Sequence, residues 1–453
     1  MQTINPATGE TLNTYEQHSQ EEVTELLDNA TETFRSWRER PIREREQLAE
    51  ALGDVLRANT REYAELMVRE MGKPISQAVA EVEKCGDLCD YYAERSAEHL
   101  QDERIGSVPG TKTYVSYEPL GPVLAVMPWN YPFWQVFRFA VPTLTAGNVG
   151  LLKHAPNVLG CAKAIEDIFR KAGYPEGCFT SLQVDEETVS DVIADDRVRA
   201  VTLTGSTRAG RAVAAASGEN LKKSVLELGG SDPFIVLDDA PIDDVVDSAV
   251  TARNQNSGQT CIAAKRFFVH VDVYEEFVDA FTDEAERLVV GDPFEPDTDV
   301  GPLARDDLLD TLHEQVTASV EAGATVETGG EPLDREGHFY PPTVLTDVPP
   351  ECPASAEELF GPVAAMFPVA DDDEAVAKAN DTQYGLGGSV WTADAARGEA
   401  LARRIDAGNV FVNQVVKSDP RLPFGGIKDS GYGSELSRHG IREFTNAKTI
   451  WVE

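Results

Sequence analysis

Between residues 145 and 235 the chain alternates strand-like and helix-like runs, and this alternation limits the fold more than any other feature. "NVGLLKHAPN" is an apolar strand-like run, "CAKAIEDIFRKAG" has helical spacing, and "FTSLQV" is strand-like again. The run "RAVTLTG" then enters "STRAGRAVAAASG", helical in pattern, and continues into "KSVLELGG". Strands separated by helices join a sheet as parallel neighbours, so the segment predicts a doubly wound α/β unit.

At 453 residues the chain is too long for one core, and two or three domains are expected. A second alternating region runs from "FIVLDDA" to about 425, opening with the helical "DDVVDSAVTARNQN". Residues 20 to 100 have helical spacing with a break at "MGKP", where Gly72 and Pro74 stand. "TKTYVSYEPLGPVLAVMP" is extended in pattern, and the closing "FTNAKTIWVE" is a candidate partner for it near residue 115. The opening "MQTINPATGETLNTYEQ" lacks the basic and apolar regions of a secretion signal. Apolar runs such as "GPVLAVMPW" are too short to span a bilayer. The expectation is a soluble, cytoplasmic protein.

The charge excludes some partners. With 78 acidic against 40 basic residues the net charge is −38, which repels nucleic acid and anionic membranes. An ordinary solvated surface is one explanation for the acids. Adaptation to high salt is the favoured one, because the excess runs the whole length of the chain. The six cysteines, at 85, 89, 161, 178, 261 and 352, form no dense framework and are expected to be reduced. Cys85 and Cys89 share a helical face but have no second ligand pair nearby, so no metal site is expected.

Cys261 stands apart. It sits in "NSGQTCIAAKR", among small and polar residues where a core thiol would have aliphatic neighbours. Such a setting keeps a nucleophilic thiol reachable and lets backbone amides surround a carbonyl oxygen. Asn130, in "PWNYPFW", offers a side-chain amide to a developing oxyanion. None of the seven histidines lies in a comparable motif, which argues against a cysteine–histidine hydrolase. Glu227, in "SVLELGG", is a carboxylate in an apolar strand: either a general base with a raised pKa or a strand-end glutamate reaching solvent. In "VTLTGSTRAG" a strand meets a helix that starts near Gly205 and Ser206, which is either a phosphate site or a simple turn. Lys153, in "LLKHAPN", lies at a strand's carboxyl end, where ligands collect, or is a surface lysine.

In order along the chain, "NPATGE", "PWNYPFW", "GST", "LELGG", "GQTC", "EELFGPV" and "LPFGGIKDSGYG" closely resemble the aldehyde dehydrogenase superfamily. Within it, "LLKHAPN", "LELGGSDPFIVL" and "AAKRF" look most like bacterial and archaeal succinate-semialdehyde dehydrogenases. The resemblance implies two Rossmann-like domains and a small β arm used in oligomerisation. The cofactor domain would take residues 1–107 and 124–228, the catalytic domain 229–435, and the arm 108–123 and 436–453. A homodimer or homotetramer is implied, with "FTNAKTIWVE" at the subunit contact.

The implied roles follow the motifs. Cys261 attacks the aldehyde, Asn130 and the Cys261 backbone amide hold the oxyanion, and Glu227 activates the water that hydrolyses the thioester. Lys153 would bind the adenosine ribose, Gly205 and Ser206 the pyrophosphate, and Glu358 the nicotinamide ribose. Trp129 and Phe360 would complete the cofactor site. Three residues after Lys153, where relatives preferring NAD often have a glutamate, stands Pro156. This leaves NAD and NADP both open, with a slight lean to NAD. Ser434-Glu435 replaces the usual Arg-Glu pair, and Ala263 replaces the second cysteine of relatives with a switch disulfide. Arg138 matches a position that holds a distal carboxylate in semialdehyde-specific relatives, though a structural ion pair would also explain it. Lys417, Ser418 and Arg421 fall near the expected tunnel mouth, with Ser418 the candidate substrate contact. A second arginine of some relatives is Gln255 here, with Arg253 nearby but aimed differently. The implied reaction is NAD(P)-dependent oxidation of an aldehyde, most simply succinate semialdehyde. A broad aliphatic or aromatic specificity and a catalytically silent relative are the rivals.

Overall fold

The computed structural model describes residues 1–106 and 111–453. Two sheets organise it. The first has six strands in the spatial order Gly431–Tyr432, Lys223–Glu227, Ala200–Thr204, Pro122–Met127, Val149–His154 and Phe179–Ser181. Neighbours are parallel throughout except for Gly431–Tyr432, which runs antiparallel at the edge. The order reverses at Pro122–Met127: the chain moves outward to one side through 149–154 and 179–181, then to the other through 200–204 and 223–227. Such a reversal opens a crevice at the carboxyl ends of the strands. The turns Trp129–Asn130 and Gly205–Ser206 lie there.

The second sheet has seven strands in the order Thr325–Thr328, Thr343–Thr346, Val363–Val369, Ala264–His270, Asp232–Val236, Gly387–Trp391 and Asn409–Val412. All pairs are parallel but the first. Their central strands are buried on both faces and accordingly read as continuous apolar runs.

Four helices cover residues 20–99. The first, Gln20–Trp37, starts with a capping box in which Ser19 and Glu22 satisfy each other's backbone amides. The break at "MGKP" is real: Gly72 ends the helix Thr60–Met71 with a φ of 77°, a conformation that costs glycine little. The next helix, Ile75–His99, carries Glu81, whose Oε1 accepts from the amides of Phe133 and Trp134 at 2.9 Å each. Glu81 thereby caps the buried helix Trp134–Thr145 and is itself paired with the buried Lys73. Cys85 and Cys89 are buried in the same core.

A third, three-stranded sheet pairs Thr445–Val452 antiparallel with Lys112–Pro119, Thr449 opposite Val115, and Lys112–Pro119 with Glu103–Arg104. The hydrogen bonding moves the expected boundaries. Pro122 and Val123, expected in the arm, open a strand of the first sheet. Gly431–Tyr432, expected with the catalytic residues, pairs with Lys223–Glu227. The helix Ser437–Glu443, also expected in the arm, packs on Ile75–His99 and Trp134–Thr145. Tyr92 fastens it by donating to the Ser437 carbonyl at 3.1 Å. The expected division between 107 and 108 lies outside the described residues. No described helix is long and apolar enough to cross a membrane.

Candidate active site

The loop before Cys261 is held in an unusual backbone conformation. After the helix Ile242–Asn254, three successive residues have positive φ: Asn256 at 58°, Ser257 at 55° and Gly258 at 70°. For residues other than glycine this costs about 1–3 kcal/mol each, so their surroundings must impose it. A Cβ on Gly258 would also lie 2.3 Å from the Gly361 backbone, so that position requires glycine. The Asn256 side chain donates to the carbonyls of Asn130 and Gln259 at 2.9 and 3.1 Å, and its amide donates to Gln77 at 2.6 Å. Ser257 Oγ donates to the Gly301 carbonyl at 3.0 Å. From the other side Lys265 Nζ donates to the carbonyls of Thr260 and Cys261 at 2.9 and 2.8 Å.

Cys261 is the one cysteine of the six that keeps appreciable surface. It lines a cavity of ≈ 170 Å³ together with Arg138 and Ser418. Burial pushes its thiol up to about 12, with Arg138 and Lys265 opposing the rise. The resting group is therefore a neutral thiol that needs a base. Asn130 is buried beside it, donating from Nδ2 to the Gln259 carbonyl at 2.9 Å. An amide nitrogen has two protons, so a second remains for an oxyanion.

Glu227 ends its strand fully inside the protein, and neither carboxylate oxygen has a hydrogen-bond partner among the described residues. Burial, then the nearby Glu435, raises its pKa well above the carboxylate range, against the pull of Arg138. This settles the choice between a buried carboxylate and one reaching solvent. A buried, unsatisfied carboxyl group is costly, and it suits a base that must take a proton near neutrality.

The crevice of the first sheet has the features a dinucleotide needs. Lys153 is buried at the end of its strand, and its ammonium has no hydrogen bond or ion pair among the described residues. Burial lowers its pKa, with Glu186 and Asp185 opposing. Thr204 Oγ1, at the end of the strand on the far side of Pro122–Met127, is buried without a hydrogen-bond partner among the described residues. The Gly205 amide donates to the Glu227 carbonyl at 2.9 Å, which ties this turn to the base. Ser206 caps the helix Thr207–Glu219 by accepting from the Ala209 amide at 3.3 Å. An unpaired cation, an orphaned hydroxyl and a helix start fit a phosphate-bearing ligand. Glu358 accepts from the Gly230 amide at 3.1 Å and pairs with Lys265 at 3.5 Å. Trp129 and Phe360 meet edge to face with centroids 5.8 Å apart.

Arg138 stands at the cavity wall, and the structural ion pair expected of it is present. It is buried in an ion pair with Glu435 and lies 4.8 Å from the centre of the Phe424 ring. Yet its Nη2 has no hydrogen-bond partner among the described residues, although it is buried. Ser418 lines the same cavity, as do Lys417 and Gln255. Arg421 does not: it is an exposed side chain gripped by Asp419. Arg253 braces the loop instead, donating to the carbonyls of Gly258 and Ala264 at 2.8 and 3.1 Å. Lys265, Asn256 and Lys84 were not singled out from the sequence. Lys265 and Asn256 flank Cys261 closely enough to have been questioned. Lys84 carries no local signal at all.

Residues 1–450 match the aldehyde dehydrogenase family. A probable succinate-semialdehyde dehydrogenase (NADP+) of Synechocystis is 53% identical over 450 residues, covering 99% of both chains. A succinate-semialdehyde dehydrogenase (NADP+) of Mycobacterium avium is 51% identical over 453 residues, covering 99% of this chain and 96% of its own. Among solved structures, the succinic semialdehyde dehydrogenase of Streptococcus pyogenes in complex with NADP+ is similar with a TM-score of 0.97. It is 37% identical and covers 99% of each chain. This chain belongs to the aldehyde dehydrogenase family and is an NAD(P)-dependent oxidoreductase acting on aldehydes.

Proposed function

We propose that the protein oxidises succinate semialdehyde to succinate and prefers NADP. The observation that carries the substrate is a cavity with Cys261 on its wall and a buried guanidinium, Arg138, whose Nη2 has no hydrogen-bond partner among the described residues. An ω-carboxylate satisfies that group, whereas an uncharged aldehyde leaves it unpaired. Semialdehyde specificity and NADP are also what the named relatives carry. A broad aliphatic or aromatic specificity draws on the Arg138–Glu435 pair, which gives the arginine a structural task. The unsatisfied Nη2 weighs against it.

The slight lean to NAD finds no support among those relatives. Pro156 offers no carboxylate to repel a 2′-phosphate, and Lys153, three residues before it, is a cation with no ion pair among the described residues. Lys153, Gly205, Ser206 and Glu358 would hold the dinucleotide, with Trp129 and Phe360 beside it. When bound it supplies the acceptor for the aldehyde's hydride.

The chain's own residues do the rest. Cys261 Sγ, once deprotonated, attacks the carbonyl carbon, and the oxygen gains the negative charge. Asn130 Nδ2 and the Cys261 amide donate to that oxygen, which lowers the barrier because they are already in place. After oxidation the acyl group is a thioester on Sγ. Glu227 takes a proton from water, the hydroxide adds to the acyl carbon, and the C–S bond breaks to return the thiolate and release the acid.

The domains are proposed as the two sheets with their helices, and the three-stranded sheet as an oligomerisation arm. Thr445–Val452 is an edge of that sheet and Trp451 is 54% exposed on it, an open edge that invites a second chain. Six unpaired thiols suit a cytoplasmic location, and the acid excess suits high salt. The deciding experiment compares kcat/KM for succinate semialdehyde and butanal, each with NADP and NAD. A clear preference for the semialdehyde and for NADP is expected. Equal use of the two aldehydes overturns the substrate, and a preference for NAD overturns the cofactor.

A further inference from the structure

Glu435 offsets much of the charge that Arg138 brings to the cavity. A second cation lines the same wall. Lys84, from the helix Ile75–His99, reaches it with Nζ donating to Ser418 Oγ at 2.9 Å and lying 4.1 Å from the centre of the Trp134 ring. Among the described residues no carboxylate forms an ion pair with it. An ammonium has three protons, and one hydroxyl with one ring leaves donor capacity unspent. A partly buried cation without a counter-ion is costly unless a ligand supplies one.

From this geometry we infer that Lys84 is a substrate-binding residue: with Arg138 Nη2 it grips the distal carboxylate and selects ω-carboxylate aldehydes over uncharged ones. The inference rests on the semialdehyde reading and names the residue that sets the preference. Ser418 then orients Lys84 in addition to touching substrate, and Trp134 holds the ammonium in place by its ring face. Arg138, already shared with Glu435, supplies direction, and Lys84 supplies positive charge at Ser418 in addition to that of Lys417 on the same cavity.

A pH dependence follows. The titratable and charged groups that act on Lys84 are Glu81 and Cys85 on its own helix, Arg138 on the helix Trp134–Thr145, and Asp419 on the loop beside Ser418, and Lys417 on that loop and Cys261 line the same cavity. Burial, then Arg138, lowers its pKa to about 8. The ammonium is charged below that value and neutral above it. Its contribution to carboxylate binding is therefore present at neutral pH and lost as pH rises through about 8.

The test measures kcat/KM for succinate semialdehyde and for butanal and follows their ratio, in which changes to Cys261 and Glu227 cancel. In Lys84→Met the ratio should fall about 10- to 100-fold, the worth of a hydrogen bond to a charged group. Lys84→Arg should keep most of it. In the wild type the ratio should drop above pH 8, whereas in Lys84→Arg it should stay flat there. That second measurement decides the matter if Lys84→Met does not fold. A wild type that favours the semialdehyde, with an unchanged ratio in Lys84→Met or an equal pH profile in Lys84→Arg, overturns the role of Lys84. A wild type with no preference overturns the semialdehyde reading itself.

Discussion

The two ends of the Cys261 cavity are held together differently. At the reacting end, six consecutive residues, 256–261, are fixed by their own backbone conformation and by short-range bonds from Asn256 and Lys265. At the far end, Lys84 and Ser418 meet across 334 residues of chain, and Arg138 arrives on a third element. The conformation that presents Cys261 is encoded in one stretch of sequence, whereas the far end forms only when helix, helix and loop pack together. The reacting end should therefore fail completely when one atom is removed, and the far end should fail by degrees.

The largest effect tests the first half of that statement. Cys261→Ala should lower turnover by about 10⁴-fold or more, because no other group in the cavity replaces the nucleophile. Cofactor binding, followed by fluorescence titration, should persist, since Lys153 and the helix start lie on the other sheet. Substantial residual turnover would place the chemistry elsewhere.

Glu227→Gln comes next. Loss of a general base typically costs about 10²- to 10⁴-fold, and here the loss should fall on thioester hydrolysis. Rapid mixing should show one fast burst of reduced cofactor followed by slow turnover. An equal fall in burst and steady state would show that Glu227 also deprotonates Cys261, whose thiol, pushed up to about 12, needs such help.

The same contrast explains what could be seen in the sequence. Strand–helix alternation, the break at Gly72 and the pairing of the last strand near residue 115 follow from local periodicity and turn chemistry, and each is present in the fold. Cys261, Asn130 and Glu227 stand out because a reachable thiol, a turn amide and a carboxylate in an apolar strand break the local pattern. The return of Gly431–Tyr432 to the first sheet was not legible, since two residues carry no period. Lys84 was invisible for a related reason: on a helix with ordinary amphipathic spacing a lysine looks solvated until its neighbours are known. Arg138 looked somewhat more like a ligand than an ion-pair partner, and only the fold shows its Nε against Glu435 and its Nη2 without a hydrogen bond among the described residues.

Arg138 joins the two ends, and removing it should blur the difference between them. Its charge favours the ionised forms of Glu227, Glu435 and Cys261. Arg138→Met leaves Glu435 buried without its partner, a loss of about 3–5 kcal/mol for a broken buried pair. Activity toward butanal should fall along with activity toward succinate semialdehyde, unlike in Lys84→Met, where the ratio moves. Adding Glu435→Gln should restore melting temperature and part of the butanal activity without restoring the preference for the semialdehyde. A single Arg138→Met variant that loses only that preference would separate the ends entirely.

The smallest effect comes from outside the cavity. The surface pairs do little to cancel the field of 78 acids against 40 bases: Arg35 and Glu32, for example, are 72% and 73% exposed, and such pairs are worth at most about 1 kcal/mol. The uncompensated potential opposes the approach of an anion but not of a neutral molecule. Its reach is about 10 Å at 0.1 M salt and about 3 Å at 1 M. Over that range KM for succinate semialdehyde should fall a few-fold while KM for butanal stays level. The Lys84→Met penalty should survive at both salt concentrations, because interactions inside the cavity are screened far less than those across the surface. The melting temperature should rise with salt as self-repulsion is screened, and an unchanged value in dilute buffer would count against adaptation to high salt. If salt shifts both aldehydes equally, the acid excess acts on the fold alone and the discrimination belongs wholly to the packed far end of the cavity.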